Sequence, residues 1–570
     1  MKKKKRAESS QVGTGVFKLK KGMSYGRIRP DNERFCDVII LLKEVNGAQD
    51  GDKVQYVLLP VVKRRKTACF GKITKVISLT DTYFAERKRL LGRFHLSERF
   101  SEPVASEAEK TVQLPENKKR SDCRKAFCIT IDPVDARDFD DAISLKKVGK
   151  DFLLGVYIAD VSHFVEQGSR LDQEAGRRGL SVYFPWGVVP MLPEFLSEER
   201  CSLKEGVERK AVACFMRLSP EGEVLQYDIE RVTIVNKKRL TYEGAQRILE
   251  GKEKAAFPGL NMLLKRMGAL ARVLKQRRLA EGGLDFNLPE TRVLLDDKGL
   301  PDKLLQPKRI WTQSIIEEFM LMANKVVAQH LESRRSHSLY RIHDVPGLEL
   351  SEKVRKLIRL RPAGISPLPA HADCRDLLQA VRNSGVEKTV HKMVLQSLPK
   401  ARYSTNNRGH FGLGFDSYTH FTSPIRRYPD LLVHRLLFAE GTRSLSDKRA
   451  LVELERAADH CSTAEERSLK AERDAVALCV CYILAGYVGQ VFQGTVTGVA
   501  PFGIFIELKD MGADGLLHRS RIRPGDYEFE PDTLSYYSRS EKKSIRLGDM
   551  LTVRLDRVNL TLRHIDLAQV

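Results

Sequence analysis

Ile129-Thr-Ile-Asp-Pro-Val-Asp-Ala-Arg-Asp-Phe-Asp-Asp-Ala-Ile143 reads as the end of one apolar strand, a charged loop and the start of another strand. From Asp132 to Asp141 the loop holds five carboxylates and one guanidinium. Carboxylates this close repel one another and raise each other's pKa unless a cation neutralises them. A hard divalent ion takes oxygen ligands, and Mg²⁺ favours a few carboxylates, water and a substrate phosphate. Asp138 and Asp140 are two apart, so in extended chain they face one way and Asp141 the other. Asp132 opens the loop and can turn back toward Asp141. Four acids so placed suit one or two metals, and two ions about 3.5–4 Å apart activate water and stabilise a leaving oxygen in phosphodiester cleavage. An EF-hand calcium loop needs Gly after its third acid, and Asp141 occupies that place. A merely solvated acidic turn fits poorly with the tight apolar flanks.

The rest of the chain is basic. Its 570 residues carry 97 Lys+Arg against 74 Asp+Glu, a formal net charge of +23. That length predicts roughly three to five domains. A hydrophobic content of 42% supports real cores and excludes a disordered polycation. A charge of this sign and size implies a polyanionic partner, nucleic acid first. The start, Met1-Lys-Lys-Lys-Lys-Arg6, leads into polar residues rather than the apolar core of a signal peptide. No apolar run approaches the roughly 18 residues of a transmembrane helix. The ten Cys lack zinc-ribbon or redox spacing and read as reduced, mostly buried thiols. These features predict a cytoplasmic protein with no membrane partner.

Outward from the loop, a division emerges. Residues 1–11 form a basic tail expected to be disordered. Residues 12–77 are short-stranded and basic, with turn signals at Asn46-Gly47 and Asp50-Gly51, and fit a small OB-type barrel. The run Val61-Val-Lys-Arg-Arg-Lys66 suits a phosphate backbone or, equally, a solvated strand edge. Residues 78–122 read as a polar connector. The central block, 123–486, begins with strands and continues in amphipathic helices, as in Ile315–Ala328 and Leu451–Leu484. Residues 487–570 return to a Gly-studded β pattern. There Phe492, Phe502, Phe505 and His518 are candidates for base stacking, worth ~1–3 kcal/mol per base, although some must be core. The fold class is therefore α+β and multidomain, with a mixed α/β central domain between small OB-type β-barrels.

A second constellation, Gly409-His-Phe-Gly-Leu-Gly-Phe-Asp-Ser-Tyr-Thr-His-Phe-Thr-Ser-Pro-Ile-Arg-Arg-Tyr-Pro-Asp430, sets two arginines beside a Ser-Pro turn. Arginine binds phosphate oxygens in bidentate fashion and stabilises transition-state charge. Alone, an Arg-Arg pair is commonly a surface feature; beside a carboxylate cage it is a second half of a phosphoryl site.

These stretches carry a family resemblance. Ile129–Ile143, Tyr157-Ile-Ala-Asp-Val-Ser-His-Phe164, Ser181-Val-Tyr-Phe-Pro185, Pro190-Met-Leu-Pro193 and His420-Phe-Thr-Ser-Pro-Ile-Arg-Arg-Tyr-Pro-Asp430 resemble the signatures of the RNase II/RNase R exoribonucleases, closer to RNase R. With the flanking barrels, the resemblance covers nearly the whole chain. It implies a cold-shock-like barrel, a catalytic RNB domain and a C-terminal S1-type domain. It also implies a monomeric, processive 3′→5′ hydrolytic exoribonuclease that releases nucleoside 5′-monophosphates. The cofactor is expected to be Mg²⁺, with Mn²⁺ as a substitute, and the partners single-stranded RNA and structured RNA with a 3′ overhang. By this resemblance Asp132, Asp138, Asp140 and Asp141 form the metal site, with Asp140 the acid whose loss abolishes cleavage most cleanly. Arg426 contacts the scissile phosphate and Tyr183 stacks near the 3′ end. Tyr242 and Glu317 contact ribose hydroxyls, the group by which a site distinguishes RNA from DNA. Two departures are expected to bear on RNA capture and duplex unwinding. Only one barrel is expected between Val12 and about Ile77, where family members commonly carry two, and the sequence stops at Asp566-Leu-Ala-Gln-Val570, where many RNase R chains carry a Lys-rich tail. Two other classes remain for comparison, a non-catalytic RNA binder that kept the fold and a DNA nuclease.

Overall fold

The computed structural model describes all residues except 1–11, 20–22, 32–35, 51, 60–68, 112–118, 289–290, 335–336, 348–373, 385, 440–447, 524–525 and 532. The N-terminal tail, Gly51 of the second turn signal and the basic run Val61–Lys66 therefore lie outside the described residues.

Strands β1 (Val12–Lys18), β2 (Tyr25–Pro30), β3 (Val38–Leu41), β4 (Lys53–Leu58) and β5 (Cys69–Val76) close into a barrel in the order β1-β2-β3-β5-β4. Phe17, Ile28, Val38, Ile40, Val54, Tyr56 and Ile73 fill its interior. Each sits in a strand with more exposed neighbours, the period-two pattern of a sheet with one wet face. Asn46 and Gly47 take φ values of 49° and 79°, the left-handed conformation that an Asn-Gly pair accepts at little cost.

The segment read as a connector contains two helices, Leu79–Arg93 and Glu102–Lys110. The first is strongly polar and buries only Tyr83, Glu86 and Leu90, so hydrophobic periodicity gave no sign of it.

The central domain is organised by a seven-stranded sheet. It comprises β6 (Ser121–Asp122), β7 (Ile129–Asp132), β8 (Asp141–Val148) and β9 (Asp151–Ala159). A separate hairpin, β10 (Val182–Phe184) and β11 (Gly187–Val189), precedes the remaining strands, β12 (Glu208–Leu218), β13 (Val224–Val235) and β14 (Lys238–Thr241). The strand order is β14-β7-β8-β9-β12-β13-β6. Both faces are covered, so alternate residues enter different cores. Ile129, Ile131, Ile143, Val156, Ile158 and Val212 join one core. Ala142, Tyr157, Ala159, Ala211 and Ala213 join the other. Helices Leu260–Ala280 and Trp311–Ser333 pack on the first face; Leu264, Met267, Ala271 and Leu274 form the buried stripe of the former. Fully burying each such aliphatic side chain contributes roughly 1.5–3 kcal/mol.

One buried ion pair ties the sheet to the chain that precedes it. Asp160 is fully buried, receives Arg120 Nη2 at 2.7 Å and Ser162 Oγ at 2.6 Å, and lies 3.6 Å from Arg231 Nε. Burial alone pushes this carboxyl up; Arg120 and Ser162 outweigh it and bring the carboxyl down to about 2. An unfolded Asp titrates near ~3.9. The stabilisation is thus present above about pH 4 and lost as pH falls toward about 2. Asp160→Asn is expected to lower stability by about 3–5 kcal/mol near neutrality, because it strands Arg120. Thermal unfolding of both chains checks this: the gap between them should narrow below about pH 4, and a pH-independent gap would contradict it.

The last domain is a second closed barrel, from strands Val491–Ala500, Gly503–Leu508, Ala513–His518, His564–Gln569 and Met550–Asn559 in that order. Between its third and fourth strands in sequence lies an unforeseen three-stranded sheet, Tyr527–Glu530, Ser535–Ser538 and Lys543–Ile545. The barrel seats on helix Glu387–Ser397 through Lys388–Glu507 (2.5 Å) and Lys392–Asp514 (2.6 Å). No helix among the described residues is long and apolar enough to cross a membrane.

Candidate active site

The acidic loop spans the gap between β7 and β8, with Asp132 the last residue of one strand and Asp141 the first of the other. Its backbone is held from several sides. Ala159 N donates to Asp140 O (2.9 Å) and Leu203 N to Phe139 O (3.0 Å). Ser202 Oγ accepts from Phe139 N (3.0 Å) and donates to Arg137 O (2.7 Å). Arg239 Nη2 donates to the carbonyls of Pro133 (2.8 Å) and Val134 (3.0 Å). So secured, the loop keeps its carboxylates together against their repulsion.

Sheet register brings in Tyr242. Strand β14 runs parallel to β7 and sets Thr241 level with Asp132. Thr241 then caps the following helix, its hydroxyl accepting from Gly244 N at 2.9 Å. Tyr242 is the first residue of that helix, and its hydroxyl feels the charges of Asp141 and Asp132.

The arginine loop arrives from far along the chain. Ile425 N donates to Asp140 Oδ1 at 2.9 Å, and Arg426 Nε lies 3.5 Å from Asp140 Oδ2. Hairpin β10–β11 joins from a third direction: Ser181 N donates to Arg426 O at 3.0 Å, and Tyr183 Oη to Asp138 Oδ2 at 3.3 Å. The Tyr183 backbone N–H is held by Glu472 Oε1 at 2.9 Å, on the long helix Lys448–Ala485, while the residue stays 40% exposed.

The structure thus brings together Asp132, Asp138, Asp140, Asp141, Tyr183, Tyr242 and Arg426. Glu317 stands apart on helix Trp311–Ser333, in an ion pair with Arg309. In the C-terminal barrel, Phe502 and Phe505 meet edge to face at 5.9 Å and line a cavity of about 590 Å³ with His564 and Lys392. His518 lies opposite Gly503, next to Phe502. Phe492 instead packs near Tyr487, with ring centroids 6.4 Å apart.

Electrostatically the acids are under tension. Burial, then the Asp141 charge, pushes Asp132 up, with Arg239 opposing. Burial pushes Asp140 well up, opposed by Arg426 and the Ile425 N–H. Asp141 is raised by burial and eased by Arg426. Asp132 Oδ2 and Asp140 Oδ2 are buried without a hydrogen bond. As placed, no three His, Cys, Asp or Glu groups among the described residues form a ready ion cage. The donor set nonetheless fits a divalent cation: hard oxygen donors, excess negative charge and two buried carboxylate oxygens that accept no hydrogen bond.

Several contributors escaped the sequence reading. Arg239, Ser202 and Glu472 shape or brace the site, yet each is a common polar residue distant in sequence from the acids it serves.

Comparison with known proteins places these parts in context. The RNB domain family matches residues 120–440, and the S1 RNA binding domain family matches residues 487–569. Ribonuclease R of Thermotoga maritima is 35% identical, over 98% of this chain and 80% of the relative. Mycoplasma genitalium RNase R in complex with ribose methylated single-stranded RNA superposes with a TM-score of 0.81 at 26% identity, covering 98% of this chain and 89% of the other. The same Mycoplasma protein with double-stranded RNA gives a TM-score of 0.76 at 25% identity, covering 98% and 95%.

Proposed function

The chain belongs to the ribonuclease R family of RNB-domain exoribonucleases and acts on RNA from the 3′ end, and from that premise we propose a metal-dependent, processive hydrolysis that releases nucleoside 5′-monophosphates. The observation that carries the reading is the meeting of Asp140 with Ile425 and Arg426 across 285 residues of sequence. Carboxylates gathered against their own repulsion, with a guanidinium beside them, constitute a site for phosphoryl chemistry.

In this reading Asp132, Asp138, Asp140 and Asp141 hold two divalent ions, Mg²⁺ or Mn²⁺. The chemistry such ions supply when bound is a more acidic water and a stabilised leaving oxygen. Arg426 grips the non-bridging oxygens of the terminal phosphodiester and offsets the charge that develops there. Tyr183 stacks on a base near the 3′ end while its hydroxyl rests on Asp138. Tyr242 and Glu317 read ribose hydroxyls; for Glu317 this entails exchanging its partner Arg309 for RNA. Phe502, Phe505 and His518, with Phe492 at the margin, offer stacking surfaces to RNA before it reaches the carboxylates.

The working divisions are 12–77, 123–486 and 487–570. A monomer in the cytoplasm, acting on single-stranded RNA and on duplexes with a 3′ overhang, completes the proposal. The Mycoplasma relative solved in complex with single-stranded and with double-stranded RNA supports binding of both kinds of RNA.

A time course on 5′-labelled RNA, resolved to single nucleotides, tests this. Stepwise shortening with Mg²⁺ that stops on adding EDTA is expected, with nucleoside 5′-monophosphates as product. A single 2′-deoxy linkage near the 3′ end should stall it. Binding without shortening identifies a non-catalytic RNA binder; unhindered passage over the deoxy linkage removes the ribose-reading roles.

A further inference from the structure

We propose that Ser423 is a positioning residue for Arg426, itself fixed by the buried carboxylate of Asp430. The assignment rests on the nuclease reading above and extends it to how the arginine is aimed.

Arg426 has a side chain that is 42% exposed, so nothing in its packing alone fixes a long flexible stem. Among the described residues its guanidinium has two anchors. Nη2 donates to Ser423 Oγ at 3.0 Å, and Nε lies 3.5 Å from Asp140 Oδ2. The serine contact is the shorter, and it leaves other N–H groups of the fork for phosphate oxygens.

Ser423 suits this task because it is buried and held through both its backbone N–H and its carbonyl. It is 5% exposed. Its N–H donates to Asp430 Oδ1 at 2.8 Å, and its carbonyl accepts from Arg427 N at 2.9 Å and Arg426 N at 3.3 Å. Asp430 is fully buried and also receives Arg427 Nη2 at 2.7 Å. A rigid line therefore runs from Asp430 through the Ser423 backbone to its hydroxyl, and on to the Arg426 guanidinium. Arg426 is pinned at its backbone too, its carbonyl accepting from Ser181 N at 3.0 Å. Losing the Ser423 hydroxyl thus frees the side chain while leaving the loop in place.

A hydrogen bond to a charged group carries about a tenfold to hundredfold effect, and the second anchor at Asp140 places this one near the lower end. Single-turnover shortening of 5′-labelled single-stranded RNA is the measurement, with RNA affinity read in the Asp140→Asn background. Ser423→Ala should slow cleavage about tenfold, leave affinity and thermal unfolding unchanged, and cause no further loss when added to Arg426→Ala. Ser423→Thr, which keeps the hydroxyl, should retain most of the rate. An equal loss from Ser423→Ala in the Arg426→Ala chain overturns the assignment, because the serine then acts independently of the arginine. So does weakened RNA binding at an unchanged rate. If the unsubstituted chain does not shorten RNA at all, the nuclease reading falls and takes this role with it.

Discussion

Asp140→Asn is expected to slow RNA shortening by more than about a thousandfold while RNA remains bound. The substitution removes one charge, and with it the ion pair to Arg426 Nε at 3.5 Å, but keeps the side chain's size and shape. Asp140 Oδ1 accepts the Ile425 N–H at 2.9 Å, and the asparagine carbonyl oxygen can accept the same bond. The two loops therefore stay latched, and the RNA contacts proposed for Tyr183 and the barrels are untouched. What disappears is one of the proposed metal donors. Stability gives an independent readout. Burial holds the Asp140 carboxyl well above its usual range, so its charge is a burden on the metal-free fold. The asparagine chain should then unfold no earlier than its parent without metal, and gain less from added Mg²⁺. Gel-resolved time courses, filter binding and thermal unfolding together decide the matter. Retained turnover would remove Asp140 from the metal site.

Arg426→Ala is expected to cost about a hundredfold to a thousandfold in single-turnover rate, the usual effect of deleting one donor aimed at developing charge. Affinity should change far less, since many contacts hold the rest of the RNA. The loop's shape survives because its backbone bonds to Ser181 and Asp140 do not involve the side chain. Arg426→Lys should recover only part of the rate: the ammonium restores charge without the planar fork. A further consequence follows from electrostatics, since the guanidinium offsets the burial of both Asp140 and Asp141. Its loss should raise the divalent concentration dependence of any residual activity only modestly, as cations repair part of the imbalance. A variant within about threefold of the parent would show that phosphate charge is met elsewhere.

The outline of this site was legible in the sequence because its acids are local. Five carboxylates between two apolar strands announce themselves, and Asp132 and Asp141 do mark the strand ends. The two barrels were legible for a similar reason, since alternation and Gly-rich turns are short-range signals. What stayed hidden depends on register and long-range pairing. The parallel pairing of β14 with β7 is needed to see why Tyr242 lies near Asp132. Arg239, Ser202 and Glu472 each act through contacts with backbone from another segment. Helix Leu79–Arg93 escaped because only three of its 15 residues are buried. Glu317 marks the opposite case: the family resemblance implied a ribose-reading role for it, yet its ion pair is with Arg309 rather than with any group of the acid cluster.

The seat of the C-terminal barrel has its own consequence. Lys388–Glu507 and Lys392–Asp514 are partly exposed ion pairs, open to solvent on several sides. Monovalent salt screens such pairs, with a Debye length of about 8 Å at physiological ionic strength. It also weakens the grip of any basic surface on a phosphate backbone. In this chain the two effects arrive together. As ionic strength rises, these two ion pairs weaken while RNA loosens on the barrel. The slope of affinity against salt is then expected to overstate the number of phosphates contacted, because part of it measures the barrel's own ion pairs.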